Sequence, residues 1–186
     1  DTQRKRLEEL GAVFQKYGEM YGFDWLALAA VGYQESRLDQ NRRSKAGAVG
    51  IMQMKSSTAA DKNVGVTPID TVDNNVHAGA KYLAFLRDRY FADPAMSDGA
   101  RLDFTLAAYN AGPARIASLR REAEQNGYDP NRWFFNVETI AAARVGSETV
   151  RYVANINKYY LAYSLVYRNN LQRDLQKQSL GAAPRK

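Results

Sequence analysis

The sequence contains no cysteine, which excludes disulfides, thiolate metal sites and cysteine nucleophiles together. It holds a single histidine, His77, so multi-histidine metal sites are excluded and a Ser-His pair would need His77 as its base. No run of about 18 apolar residues occurs, so no segment is expected to span a membrane. The opening residues, Asp1-Thr2-Gln3-Arg4-Lys5-Arg6, include neither an initiator methionine nor an apolar leader. That is the pattern expected of a mature protein or of a domain excised from a longer one.

What is present is ordinary globular composition: 186 residues, 45% apolar and 25% charged. Such a chain suits one domain, at most with an appendage, and needs no staples, because a core of this size buries about 70% of the unfolded surface. The net charge of +6 leaves nucleic acid, an anionic membrane and an anionic polymer open as partners. The excess is uneven. Arg168, Arg173, Lys177, Arg185 and Lys186 face only Asp174 near the C-terminus, and four basic residues between Arg37 and Lys45 face only Asp39. The final Gly-Ala-Ala-Pro-Arg-Lys reads as a frayed end or linker.

Apolar residues recur at helical spacing almost throughout, which predicts an all-α domain with at most a minimal β element. Leu7, Leu10, Phe14 and Tyr17 predict a helix ending near Gly18. Asp24 is placed to cap a buried helix from Trp25 to about Ser36, and Asp73 a helix running to about Phe91. Ser97 or Asp98 starts the next, ending at Asn110-Ala111-Gly112, and Pro113 suits the first position of its successor. Ser147 and Glu148 open a long last helix through Val150, Val153, Ile156, Tyr160, Tyr163 and Tyr167. Residues 38–55 break period and predict an irregular, glycine-containing loop.

Glu35 is the first candidate for chemistry. It ends a helix that is otherwise nearly uncharged, so its carboxyl is expected at the edge of an apolar core, where desolvation raises the pKa as a general acid requires. The ordinary alternative is a surface glutamate paired with Arg37. Gly47 and Gly50 allow close backbone approach or positive φ, and Gln53 offers both a donor and an acceptor. Tyr109 and Asn110 stand at a helix C-terminus, where they could equally be a core residue and a left-handed cap. His77 and most of the twelve tyrosines read as packing residues. No metal site is read: Asp61-Lys62-Asn63 is superficially calcium-like but lacks the remaining ligands.

Five motifs in register carry a resemblance over about residues 22–165. They are Glu35-Ser36, Ser44-x-x-Gly47-Ala48-x-Gly50, Gly50-Ile51-Met52-Gln53, Ala108-Tyr109-Asn110-Ala111-Gly112 and Glu148-Thr149-x-x-Tyr152-Val153. Together they resemble the lytic transglycosylase domain of the SLT type in the goose-lysozyme-like superfamily, and within it the membrane-bound F type. The chain departs at Ile51, commonly Leu, and at Lys55, where members often have an apolar residue lining the cleft.

The resemblance implies a compact lysozyme-like helical domain with a substrate cleft at 21–169, an N-terminal helix or linker at 1–20 and a basic C-terminal tail at 170–186. It implies cleavage of the N-acetylmuramic acid–β-1,4–N-acetylglucosamine bond in peptidoglycan without water, leaving 1,6-anhydromuramoyl ends. Glu35 would act as acid and then base, and no cofactor is implied. Ser44 and Gln53 would hydrogen-bond sugar or acetamide groups, with Met52 beside them. Tyr109 and Asn110 would flank the acid, Glu148 and Tyr152 would meet the far wall, and Ser36 and Met54 are counted with the binding set. The implied partner is the glycan strand rather than nucleic acid, met in the bacterial periplasm by a monomer or by part of a longer chain anchored at the outer membrane. The alternatives are a hydrolytic lysozyme or chitinase of the same fold and a non-catalytic peptidoglycan-binding module.

Overall fold

The structure, a computed structural model, describes residues 2–181. An amphipathic first helix, α1 (Thr2–Tyr21), runs to Tyr21 rather than stopping near Gly18. It places Phe14 and Tyr17 in the core shared with the rest of the chain. The most apolar stretch follows as α2 (Trp25–Ser36), capped at its start by Asp24, whose carboxylate accepts from Leu26 N at 3.0 Å. Every residue from Leu26 to Gly32 is buried, because α1 and the last helix cover α2 on two sides.

After α2 the chain runs irregularly to a single helical turn, α3 (Ser56–Ala60), too short to leave a periodic signal. Among the described residues, isolated bridges Arg43–Val49 and Val49–Met54 are the only β character, in keeping with the expected all-α class. Next comes α4 (Val72–Tyr90), capped by Thr71, whose Oγ1 accepts from Asn74 N, and not by Asp73 as the sequence predicts. Asp73 lies inside the first turn, where its carboxylate accepts from the Tyr17 hydroxyl at 2.6 Å and so ties α4 to α1.

Ser97 caps α5 (Asp98–Ala111), and Pro113 opens α6 (Pro113–Gln125) after Gly112 at φ 90°. A kinked turn at Trp133–Val137, with Phe134 extended and Phe135 in the left-handed region, leads into α7 (Glu138–Arg144). The chain closes with α8 (Ser147–Gly181), against which α2, α5 and α7 pack. Residues 170–181 continue this helix, whereas most of the predicted frayed end, from residue 182, lies outside the described residues.

Trp133, Phe14, Phe91, Phe104, Leu28 and Ile156 are fully buried where these helices meet. Each contributes about 1.5–3 kcal/mol relative to exposure. Among the described residues no helix is long and apolar enough to cross a membrane.

Candidate active site

Glu35 is the penultimate residue of α2, where the buried helix reaches the surface. Its Oε1 accepts a hydrogen bond of 2.6 Å from the hydroxyl of Tyr152 on α8, and Tyr152 is itself buried. Burial pushes the Glu35 carboxyl up to about 7, the nearby Glu148 charge adds to the rise, and the Tyr152 hydrogen bond opposes it. At neutral pH the group is therefore divided between acid and carboxylate, which is what a residue that gives and retakes a proton requires.

An open cavity of about 410 Å³ lies over Glu35, lined by Gln34, Asn110, Glu148, Arg151, Tyr152 and Asn155. Asn110, the penultimate residue of α5, accepts at Oδ1 from the buried Thr149 Oγ1 at 2.8 Å, which fixes its amide against the start of α8. Glu148 is exposed at the cavity rim. A larger cavity of about 790 Å³ is lined by Asp24, Trp25 and α8 residues out to Arg168, at the opposite end of α2 from Glu35, so size alone would misplace the site.

Ser36 lies beneath the site rather than facing it. Its buried Oγ sits 3.0 Å from Gly32 O and 2.9 Å from Ile51 O and accepts from Asp39 N, pinning the end of α2 to the 50–54 segment. Met52 and Met54 are likewise buried, and the Tyr109 hydroxyl donates to Met52 O at 2.6 Å with Met54 Sδ 3.2 Å away. Burial raises the Tyr109 phenol well above its ordinary value, and the charge of Glu35 raises it further, so Tyr109 stays neutral beside the acid.

Gln53 adopts φ 47° and spends its amide Nε2 on Gly50 O and Arg42 O. Ser44 is exposed, and its Oγ accepts from Ala48 N, closing the loop on itself. Among the nine residues of the expected binding set, then, Asn110, Glu148 and Tyr152 share the cavity with Glu35. Ser36, Met52, Met54 and Tyr109 support it from below, and Ser44 and Gln53 stand on the adjoining loop.

The sequence reading missed the groups that hold this loop. Buried Asn75 on α4 accepts from Met52 N at 2.8 Å and donates to Val49 O and Ile69 O. Gln40 accepts from Ile51 N and donates to Ile69 O and Asp70 O. The backbone leaves no room for a side chain on either side: a Cβ at Gly50, where φ is +80°, would fall 2.4 Å from Asn75 Nδ2, and one at Gly79 would fall 2.6 Å from Met52 Cβ. Arg151 and Asn155 were missed as well. Their signal is the spacing 148, 151, 152, 155, one polar face of α8.

His77 is no candidate base. It stacks on Tyr17 at 4.5 Å with Nε2 2.6 Å from the Tyr21 hydroxyl, and burial lowers its pKa. Among the described residues, no group of three or more His, Cys, Asp or Glu is placed to hold a metal ion.

Fold and site together define a lysozyme-like helical domain with the partly buried Glu35 carboxyl at its open polar cavity. The chain belongs to the transglycosylase SLT domain family, whose sequence profile matches residues 12–131. It is 36% identical over 169 residues to the membrane-bound lytic murein transglycosylase F of Desulfosudis oleivorans, a match covering 83% of this chain and 36% of that one. It is 32% identical over 185 residues to the protein of that name from Pseudomonas fluorescens, covering 92% of this chain and 37% of the relative. The chain thus spans a little over a third of the length of these relatives. Among solved structures, the inactive mutant of the lytic transglycosylase Slt from Pseudomonas aeruginosa shares the fold, with a TM-score of 0.67 and 22% identity over 84% of this chain and 24% of that one.

Proposed function

We propose that the chain is a peptidoglycan lytic transglycosylase, a carbon–oxygen lyase that cuts the β-1,4 bond between N-acetylmuramic acid and N-acetylglucosamine. The observation that carries this reading is the Glu35 carboxyl, raised to about 7 in an open polar cavity. Protonated Glu35 gives its proton to the glycosidic oxygen as the bond to C1 breaks. The resulting carboxylate then takes the proton from the muramoyl C6 hydroxyl as that oxygen closes on C1, with the 2-acetamido group assisting. One proton leaves Glu35 and one returns, and no water is consumed. The Tyr152 hydrogen bond steadies the carboxylate between the two steps.

Asn110, Glu148 and the loop residues Ser44 and Gln53 are assigned to the sugar and its acetamide groups. Ser36, Met52, Met54 and Tyr109 act by keeping the loop in place. The catalytic unit is assigned to residues 21–169, preceded by an N-terminal helix or linker at 1–20 and followed by the basic tail at 170–186. The names of the relatives support action on murein, and a periplasmic location agrees with that. There the enzyme works as a monomeric unit of a longer protein associated with the outer membrane.

Glu35→Gln is expected to fold and to lose more than the roughly 10²–10⁴-fold that general acid catalysis alone supplies. Release of soluble muropeptides from purified sacculi measures it, and a Gln variant cleaving at a similar rate would remove Glu35 from the mechanism. A hydrolytic reading has one observation in its favour, the second carboxylate, Glu148, on the same cavity. Mass spectrometry separates the two, since anhydro ends lack the water that reducing ends carry.

A further inference from the structure

Asp61 and Asn63, from the calcium-like Asp61-Lys62-Asn63 fragment of the sequence, line one wall of a second groove. This groove, of about 390 Å³, is lined by α3 and the loop after it, by Tyr82 and Phe85 of α4, by Tyr90 and by Pro113. A chain of rings joins it to the site around Glu35. Tyr109, half-buried and near enough to Glu35 to feel its charge, lies 5.5 Å from Tyr82, Tyr82 is stacked near Phe85 at 6.5 Å, and Phe85 meets Tyr90 edge-on at 6.1 Å.

Asp61 is the one formally charged residue lining this groove. Its Oδ1 accepts from both the backbone and the side-chain nitrogen of Asn63, at 2.8 and 2.9 Å, so the carboxylate is fixed in orientation. It forms no ion pair among the described residues, although Lys62 is its neighbour in sequence and Lys81 adjoins Tyr82. Its charge reaches Tyr82, whose phenol it helps to raise. A fixed carboxylate without a counter-ion, lining the same groove as the rings of Tyr82, Phe85 and Tyr90, presents the two features that recognise an ammonium group, with Tyr82 and Phe85 the rings left open because Arg89 lies 5.9 Å from the Tyr90 ring. The same charge disfavours the carboxylates of a peptide stem, and a neutral sugar would leave it unpaired.

We propose that this groove binds a primary ammonium group on the peptide stem of the glycan cut at Glu35, with Asp61 as counter-ion and Tyr82, Phe85 and Tyr90 as walls. The identity of the stem rests on the function proposed above, whereas ammonium binding does not. The probe is the tripeptide Nα-acetyl-L-Ala-γ-D-Glu-L-Lys, whose lysine Nε is its one ammonium group, titrated calorimetrically into the full chain beside the same peptide acetylated at Nε. The free amine is expected to bind about tenfold more tightly than the acetylated peptide. Asp61→Asn, which keeps the Oδ1 that Asn63 donates to, should reduce that preference to about threefold or less, and Asp61→Glu should restore it.

Equal binding of the two peptides, no binding of either, or an Asp61→Asn variant with undiminished preference would each overturn the site. Native and amine-acetylated sacculi supply the second arm. Slower release from acetylated sacculi supports the link to Glu35, and equal rates would break it. Failure to cleave either sacculus would count against the proposed glycan chemistry, and the titration would still decide the groove.

Discussion

Glu35 and Asp61 are the same kind of group in opposite settings. The first lies against buried apolar helix and rises to about 7, while the second stands exposed in a polar loop. Two neighbours tune Glu35 in opposite directions, and that yields a paired test. Activity needs the protonated acid, so kcat/KM is expected to be high below about pH 7 and to fall as the pH rises through the Glu35 pKa. Tyr152→Phe removes the hydrogen bond that holds the pKa down, so the falling limb should move to higher pH. Glu148→Gln removes the charge that pushes it up, so the limb should move to lower pH. Each displacement is expected to be about half to one pH unit, read from pH–rate profiles on soluble glycan. Limbs that stay in place in both variants would show that a different group controls the rate.

Elements set these residues in place through contacts that are small in area and strict in geometry. The best example is the crossing of α4 beneath the 49–54 loop, where Gly79 meets Met52 and Asn75 takes the Met52 amide. Gly79→Ala has nothing to gain but helix propensity, about 1 kcal/mol. It must displace Met52 by several tenths of an ångström, at a cost of about 1–3 kcal/mol. The expected outcome is a small net loss of thermal stability with a larger loss of turnover, because Tyr109 hydrogen-bonds the carbonyl of the displaced residue. Melting curves beside kcat measure both, and a fully active variant would separate this crossing from the site. Helix ends were readable at this scale where the residue stands at the cap position itself, as at Ser97 and Pro113 and at Asp24, which caps through Oδ1 while Oδ2 accepts from the Tyr160 hydroxyl on α8. Asp73 misled because it lies inside the first turn, where its carboxylate accepts from Tyr17, and Thr71 holds the cap position. The turn at Trp133–Val137 was not readable at all, since Phe135 holds φ 62° without a glycine to announce it.

Much of the net positive charge lies on the C-terminal part of the chain, away from the core. Residues 171–179 of α8 are all exposed, and the sequence after Asn170 carries Arg173, Lys177, Arg185 and Lys186 against Asp174. Removing residues 171–186 is expected to shift the melting temperature by less than about 2 °C, because no described side chain there is buried. Adsorption to anionic sacculi should weaken at low salt, with the difference from the intact chain closing as screening increases. Co-sedimentation across a salt series tests this, and identical binding at low salt would assign the attraction to the basic loop at Arg37–Lys45 instead.

The sequence by itself determined the helical class, most of the caps, the irregular loop and the position of Glu35 at the end of an apolar helix. Periodicity and capping act over a few residues, so they are written locally. Only the tertiary structure decided what the acid is paired with, since Tyr152 lies 117 residues further along the chain. It also decided that Ser36 supports the site from beneath, that Arg151 and Asn155 share the cavity, and that Asp61 shares a groove with a row of aromatic rings. Desolvation and charge pairing depend on what other elements bring within a few ångströms, and no spacing along one segment records that.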